Sequence, residues 1–151
     1  MTNKSLLLTA IAVAAAFSVE AAVNVTGPDG KLVVTTDVAA GVPQYSVTYD
    51  GKQLIEQSPL GFVTNIGDFS RGMTMTDTKT GNMSKSYNQD RIKKSHVDYN
   101  ANTLVTTFKN EAGQEMSVEW QVSDNDVAFR YIIPRQKGGE TGSLVMEKEA
   151  T

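Results

Sequence analysis

The sequence predicts an all-β fold, an antiparallel β-sandwich, on three observations. Apolar and polar residues alternate in run after run, most clearly over residues 102–134 (NTLVTTFKNEAGQEMSVEWQVSDNDVAFRYIIP). Period two is the spacing at which successive side chains leave opposite faces of a strand. Short clusters of Gly, Pro, Asn and Asp separate these runs, as chain reversals require. No stretch beyond the first 21 residues sustains an apolar face at helical spacing.

The N-terminus reads as a leader. Residues 1–4 are a short head carrying Lys4, residues 5–18 (SLLLTAIAVAAAFS) are an apolar run, and Ala21 is a small residue suited to the cut. Spanning a bilayer takes about 20 apolar residues, and this run is shorter and ends at Glu20. The expectation is a signal peptide at 1–21, no stable membrane span, and one mature domain at 22–151 that is secreted, periplasmic or tethered outside. The chain has 151 residues, which is within the range of a single domain.

In the mature part, residues 23–26 (VNVT) are β-prone. Gly27-Pro28-Asp29-Gly30 is a turn, since proline presets the first torsion and glycine takes the positive one. Residues 32–38 (LVVTTDV) are rich in β-branched side chains, and Gly41 and Pro43 predict a break in the connection at 39–43. Tyr45, Val47 and Tyr49 then alternate with Ser46 and Thr48, Asp50-Gly51 forms a two-residue turn, and residues 52–56 return as a hairpin. Ser58-Pro59-Leu60-Gly61 interrupts the pattern before residues 62–65, predicted as a fourth strand entering the same sheet.

Residues 73–77 (MTMTD) predict another strand, whereas 79–91 are polar with Gly81 and Asn82 and predict a long exposed loop. The 102–134 stretch is a three-stranded meander. Leu104, Thr106 and Phe108 share a face in its first strand, Met116, Val118, Trp120 and Val122 in its second, and Val127, Phe129, Tyr131 and Ile133 in its third. After a Gly-rich linker at 135–142, residues 143–147 (SLVME) begin a further strand near the end of the chain. A domain rarely stops as a new element starts, so the sequence is expected to be a domain incomplete at its C-terminal end.

The composition narrows the functional classes. A net charge of −3 lacks the basic footprint of a nucleic-acid binder, and Arg91, Lys93 and Lys94, the one local basic cluster, read as a solvated face. With no cysteine, disulfides, thiolate catalysis and cysteine zinc sites are excluded. His96 is the single histidine, and no G-x-S-x-G elbow holds a serine nucleophile. The acidic turn Asp124-Asn125-Asp126 offers hard oxygen ligands, but no twelfth-position glutamate follows, so a plain turn is the expectation. Trp120, Tyr131, Tyr45 and Tyr49 could stack on sugar rings, yet each lies in an alternating run whose face needs cover, and the core is the expected place for most. Arg130 leaves the face of Phe129 and Tyr131 and is free to pair with a carboxylate or lay its stem on a neighbouring strand. Residue chemistry alone predicts no catalytic residue and no metal ligand.

The order of segments adds a resemblance. GPDGKLVVTTDV, then PQYSVTYDGKQLIEQSPLGF, then HVDYNANTLVTTFKNEAGQEMSVEWQVSDNDVAFRYIIP resembles the N-terminal domain of glycoside hydrolase family 97, exported Bacteroides-type α-glucosidases and α-galactosidases. The most specific pieces are the P-D-G-K opening, where Gly27 stands for the usual serine, the Y-x-V-x-Y-D-G-K hairpin, the S-P-L-G step and the D-x-A-F-R-Y ending. The resemblance implies part of a galactose-mutarotase-like β-supersandwich, followed in the whole enzyme by a (β/α)8 barrel with the catalytic carboxylates, and calcium assisting cleavage. It implies α-glucoside or α-galactoside oligosaccharides and that missing barrel as partners, and a periplasmic or outer-membrane setting in a Gram-negative bacterium. No catalytic or metal residue carries over. His96 and Tyr99, in SHVDYNANTLVTTF, look like a weakened form of a histidine-tyrosine-asparagine segment common there, which implies carbohydrate contact for both, with His96 pointing toward the sugar pocket or a domain interface. The alternative is a stand-alone secreted carbohydrate-binding or adhesive module.

Overall fold

Alternating runs become strands wherever one face can be buried, and a computed structural model places eleven of them among the described residues, 21–88, 96–135 and 143–150. The expected leader falls on residues 1–21, outside the described residues except at Ala21, as do Arg91, Lys93 and Lys94 and most of the expected linker. No helix occurs among the described residues, and so none long and apolar enough to cross a membrane.

Strands β1 (Val23–Thr26), β2 (Leu32–Ala39), β3 (Val42–Tyr49) and β4 (Lys52–Pro59) form one antiparallel sheet in that order. Its turns show why these residues reverse the chain. Asp50 and Gly51 have φ of 49° and 76°, and Ala40 and Gly41 have 50° and 77°, so both two-residue hairpins take the doubly left-handed conformation that matches strand twist. The expected break at 39–43 is therefore a tight turn of two residues, and Val42 and Pro43 already belong to β3. β4 pairs with β3 through two bulges, between Tyr45 and Val47 and between Val47 and Thr48, and is exposed from Lys52 to Gln57.

A second sheet has the order β10-β9-β8-β7, where β7 is Thr74–Asn88, β8 His96–Lys109, β9 Glu115–Val122 and β10 Val127–Ile132. The meander is present as expected, and its even-numbered residues Leu104, Thr106, Phe108, Met116, Val118, Trp120 and Val122 are fully buried. Residues 79–88, expected as loop, instead continue β7 and pair with β8 as far as Asn88↔His96. The reason is physical: this part of β7 is exposed on nearly its whole length, so no apolar alternation was needed to specify it.

Residues 62–65, expected in the first sheet, lie elsewhere. β5 (Phe62–Thr64) pairs with β6 (Gly67–Asp68) and with β11 (Met146–Glu149) in a small third sheet. Gly61 makes the change of direction. Its φ is 117°, and a Cβ there would stand 2.2 Å from the Phe69 carbonyl oxygen. Its N–H donates to the Tyr131 hydroxyl at 2.9 Å, tying the turn to β10.

Val25, Leu32, Val34 and Val47 from the first sheet meet the even-numbered face of the second, and Leu60, Phe62, Phe69 and Met73 close one end of the same core. Tyr45 packs on Trp120 and Phe129 with ring centroids 5.1 and 6.0 Å apart, and Tyr131 meets Phe62 edge-on at 4.9 Å. Trp120, Tyr45 and Tyr131 thus serve the interior, as the alternation implied, whereas Tyr49 is 39% exposed.

Candidate carbohydrate-contact site

The candidate residues His96 and Tyr99 sit on a two-stranded ribbon that leaves the body of the second sheet. β9 stops pairing with β8 at Asn102↔Val122, while β7 and β8 remain paired out to Asn88↔His96. Six residue pairs therefore project, roughly 20 Å at about 3.3 Å per residue.

Alternation separates the two candidates. Ser84, Ser86 and Asn88 on β7 and His96, Asp98 and Asn100 on β8 share one face, whereas Met83, Lys85 and Tyr87 with Val97, Tyr99 and Ala101 share the other. The His96 ring lies 2.7 Å from Asn88 Oδ1 through Nδ1, and 3.3 Å from Ser86 Oγ and 3.2 Å from Asp98 Oδ1 through Nε2. This exposed cluster offers donors and acceptors on one face of the ribbon, a chemistry suited to sugar hydroxyls. Ser86 and Asn88 were missed because the loop expectation concealed their pairing; the only available sign was the hydroxyl and amide at every second position of SKSYN.

Tyr99 is held differently. Its hydroxyl donates to Asp126 Oδ1 at 3.1 Å, which fixes the ring against the turn between β9 and β10. Partial burial, then the hydrogen bond to Asp126 and the charges of Asp126 and Tyr87, push its phenol above the ordinary value. The acidic turn is otherwise occupied by its own folding: Asp124 Oδ1 accepts from Asp29 N–H at 2.8 Å, and Ser123 Oγ accepts from Asn125 and Asp126 N–H. It is a plain turn, and it clamps the β1–β2 turn, where a Cβ on Gly27 would lie 2.4 Å from Ser123 O. Asn102 adds a second anchor by donating to Thr26 O at 2.8 Å. Arg130 pairs with Glu119 across the outer face of the second sheet.

Among the described residues no three His, Asp or Glu side chains gather as a metal-binding group. The described residues therefore present no acidic cluster for the calcium ion that the resemblance implies. A shallow hollow of about 210 Å³ lies between Val63, Ser70, Arg71, Lys148, Glu149 and Ala150, away from the ribbon. At its rim the Asp68 carboxylate accepts from Ser70 Oγ at 2.6 Å and from Ser70 N–H at 2.8 Å and pairs with Arg71 at 2.8 Å.

Comparison with known proteins places these features in context. Residues 25–151 match the sequence family described as Glycosyl-hydrolase 97 N-terminal. A probable retaining alpha-galactosidase of Streptomyces bingchenggensis is 28% identical over 129 residues, covering 83% of this chain and 20% of its own length. The crystal structure of a beta-arabinopyranosidase is 45% identical with a TM-score of 0.79, covering 85% of this chain and 20% of that one. A glycoside hydrolase family 97 enzyme from a Pseudoalteromonas species, solved in complex with panose, is 26% identical with a TM-score of 0.76 over the same shares. This chain thus spans about 20% of the length of each relative.

Proposed function

The chain belongs to the glycosyl-hydrolase 97 N-terminal family, and on that premise we propose that it is the N-terminal, carbohydrate-facing portion of an exported glycoside hydrolase acting on α-glucosides or α-galactosides. The observation that carries this reading is the family match over residues 25–151 in a chain that covers one-fifth of the relatives' length. The relatives' names, an alpha-galactosidase, a beta-arabinopyranosidase and an enzyme complexed with panose, support glycosides as the substrate class.

On this reading the sandwich is scaffold, and bond cleavage belongs to a (β/α)8 barrel outside this chain. Calcium, where the whole enzyme uses it, takes its carboxylate ligands outside this chain, any that the N-terminal domain offers lying beyond Thr151. Export follows from the leader-like residues 1–21 and fits a periplasmic or outer-membrane setting. His96 contributes a ring that holds Ser86, Asn88 and Asp98 together, so that a sugar hydroxyl meets a cluster already ordered, by bonding its neighbours or by taking the place of Ser86 at Nε2.

Two measurements test the proposal. The purified chain should show no turnover of nitrophenyl α-glucoside, α-galactoside or β-arabinopyranoside, and turnover that survives repurification would refute the scaffold role. Grafted in place of the matched fifth of the beta-arabinopyranosidase, the chain should support glycoside cleavage. There, His96→Ala should raise KM about tenfold, the loss of a hydrogen bond or two, with a smaller effect on kcat. Tight oligosaccharide binding by the isolated chain, with no activity in the graft, would favour a stand-alone binding module instead.

A further inference from the structure

Strand β8 changes sides along its length. In the body its buried residues are even-numbered, Leu104, Thr106 and Phe108, and face the sandwich interior. In the ribbon its apolar and partly buried residues are odd-numbered, Val97, Tyr99 and Ala101, and stand on the opposite face beside Met83 and Tyr87 of β7. No bulge interrupts the β7–β8 register between Asp77 and Asn88, so the switch is in the residues and not in the backbone. One strand is thus written for two partners on opposite sides. The first is the sandwich core.

A two-stranded ribbon is marginal in water on its own, and one with a wholly polar face and a second face that is apolar but for Lys85 gains stability when that second face is covered. Within the described chain that face is covered at its root, where Ala101 is buried and Tyr99 bonds Asp126, and only partly covered at Met83 and Val97, while Tyr87 farther out is 44% exposed. The cover has a source in the family: the relatives carry this region within chains more than four times as long, so in them most of the protein around it lies outside the matched fifth.

We infer that the β7–β8 ribbon is a docking arm: its face of Met83, Tyr87, Val97 and Tyr99 packs on the part of a family 97 enzyme that lies outside this chain, and its His96 face stays open. The inference rests on the proposed function and adds the surface by which the two parts are joined. Docking by this face also sets which way His96 points, because the two faces are fixed back to back by strand alternation.

The chain has no cysteine, so single thiols can report each face. Y87C and S86C, adjacent on β7 and on opposite faces, are compared in maleimide labelling read by mass spectrometry, first in this chain and then in the graft with the beta-arabinopyranosidase remainder. Both should label readily in this chain. In the graft, labelling at position 87 should slow at least tenfold while position 86 is unchanged. Equal labelling of both positions in the graft would overturn the inference. So would protection of position 87 in this chain alone, which at all concentrations would indicate cover by its own segments and only at high concentration would indicate a second copy. An active graft with position 87 open would remove the docking arm and leave the proposed function standing; an inactive graft with position 87 protected would do the reverse. If the graft assembles only when residues 83–101 are taken from the relative, the arm is what the remainder recognises, and the inference is supported. Failure to assemble in both forms counts against the inference and the functional reading together.

Discussion

Gly61 and Gly51 both have positive φ, 117° and 76°, yet they do different jobs. A Cβ on Gly51 would meet nothing within 4 Å, whereas one on Gly61 would collide with the backbone of Phe69 and Ser70. Gly51→Ala should therefore cost about 1 kcal/mol, the left-handed penalty alone, and Gly61→Ala at least 3 kcal/mol, read as the difference in urea midpoint. Two titrations belong to the same scale. Tyr99 has a raised folded-state pKa, so its contribution is complete below the ordinary phenol value and is lost as pH rises through the folded one. Absorbance at alkaline pH should show a late-ionising phenol that Tyr99→Phe removes, and Asp126→Asn should move that ionisation to lower pH. Burial raises the Asp68 carboxyl, but the Ser70 side chain and backbone and the Arg71 guanidinium together outweigh it and hold the group below its ordinary 3.8. Its contribution is present above the unfolded value and is lost as pH falls through the folded one, so Asp68→Asn should flatten the acid limb of the stability curve. At this scale the sequence was readable where a residue acts through its own backbone, as Gly51 does. It was silent where two residues distant in the chain meet, as Tyr99 and Asp126 do.

Among elements, legibility followed burial. The meander from β8 to β10 could be read from its side chains because its core face excludes polar residues, and Trp120→Ala there should cost about 3–5 kcal/mol by thermal or denaturant unfolding. β5 was placed in the wrong sheet because its three residues, Phe62–Thr64, specify a buried strand without naming the neighbour. That neighbour is set by the turn at Gly61 and by Asn65, whose side chain accepts from Val145 N–H at 3.0 Å and donates to Ser143 O at 3.1 Å. Asn65→Ala should consequently loosen β11 and leave the sandwich intact, seen as faster amide exchange confined to residues 143–150. The outer half of β7 was unreadable for the opposite reason, since a strand exposed over nearly its whole length is held to no strict apolar alternation, and Lys85 interrupts the one it has. Of the candidate site, His96 and Tyr99 were indicated by resemblance alone; their placement on opposite faces, and the part played by Ser86 and Asn88, needed the pairing register.

For the molecule as a whole, stability and solubility pull on the same uncovered surfaces. Leu54 and Ile55 on the edge strand β4 and Leu144, Val145 and Met146 at β11 are each 40% exposed or more. Edge strands with apolar side chains invite pairing between copies, although the two bulges in β4 twist part of that edge away. The isolated chain should self-associate as concentration rises, and Leu54→Lys should shift light scattering toward the monomer; a monodisperse wild-type chain at all concentrations would count against this. The change of sides in β8 has a consequence for how such a chain can vary in length. Adding one residue pair at the root of the ribbon, between Asn82 and Met83 and between Ala101 and Asn102, would turn every ribbon side chain to the other face while leaving the β8–β9 pairing of the sandwich in register. Viable length changes at that root must therefore come in twos, so that the arm grows or shrinks by whole pleats.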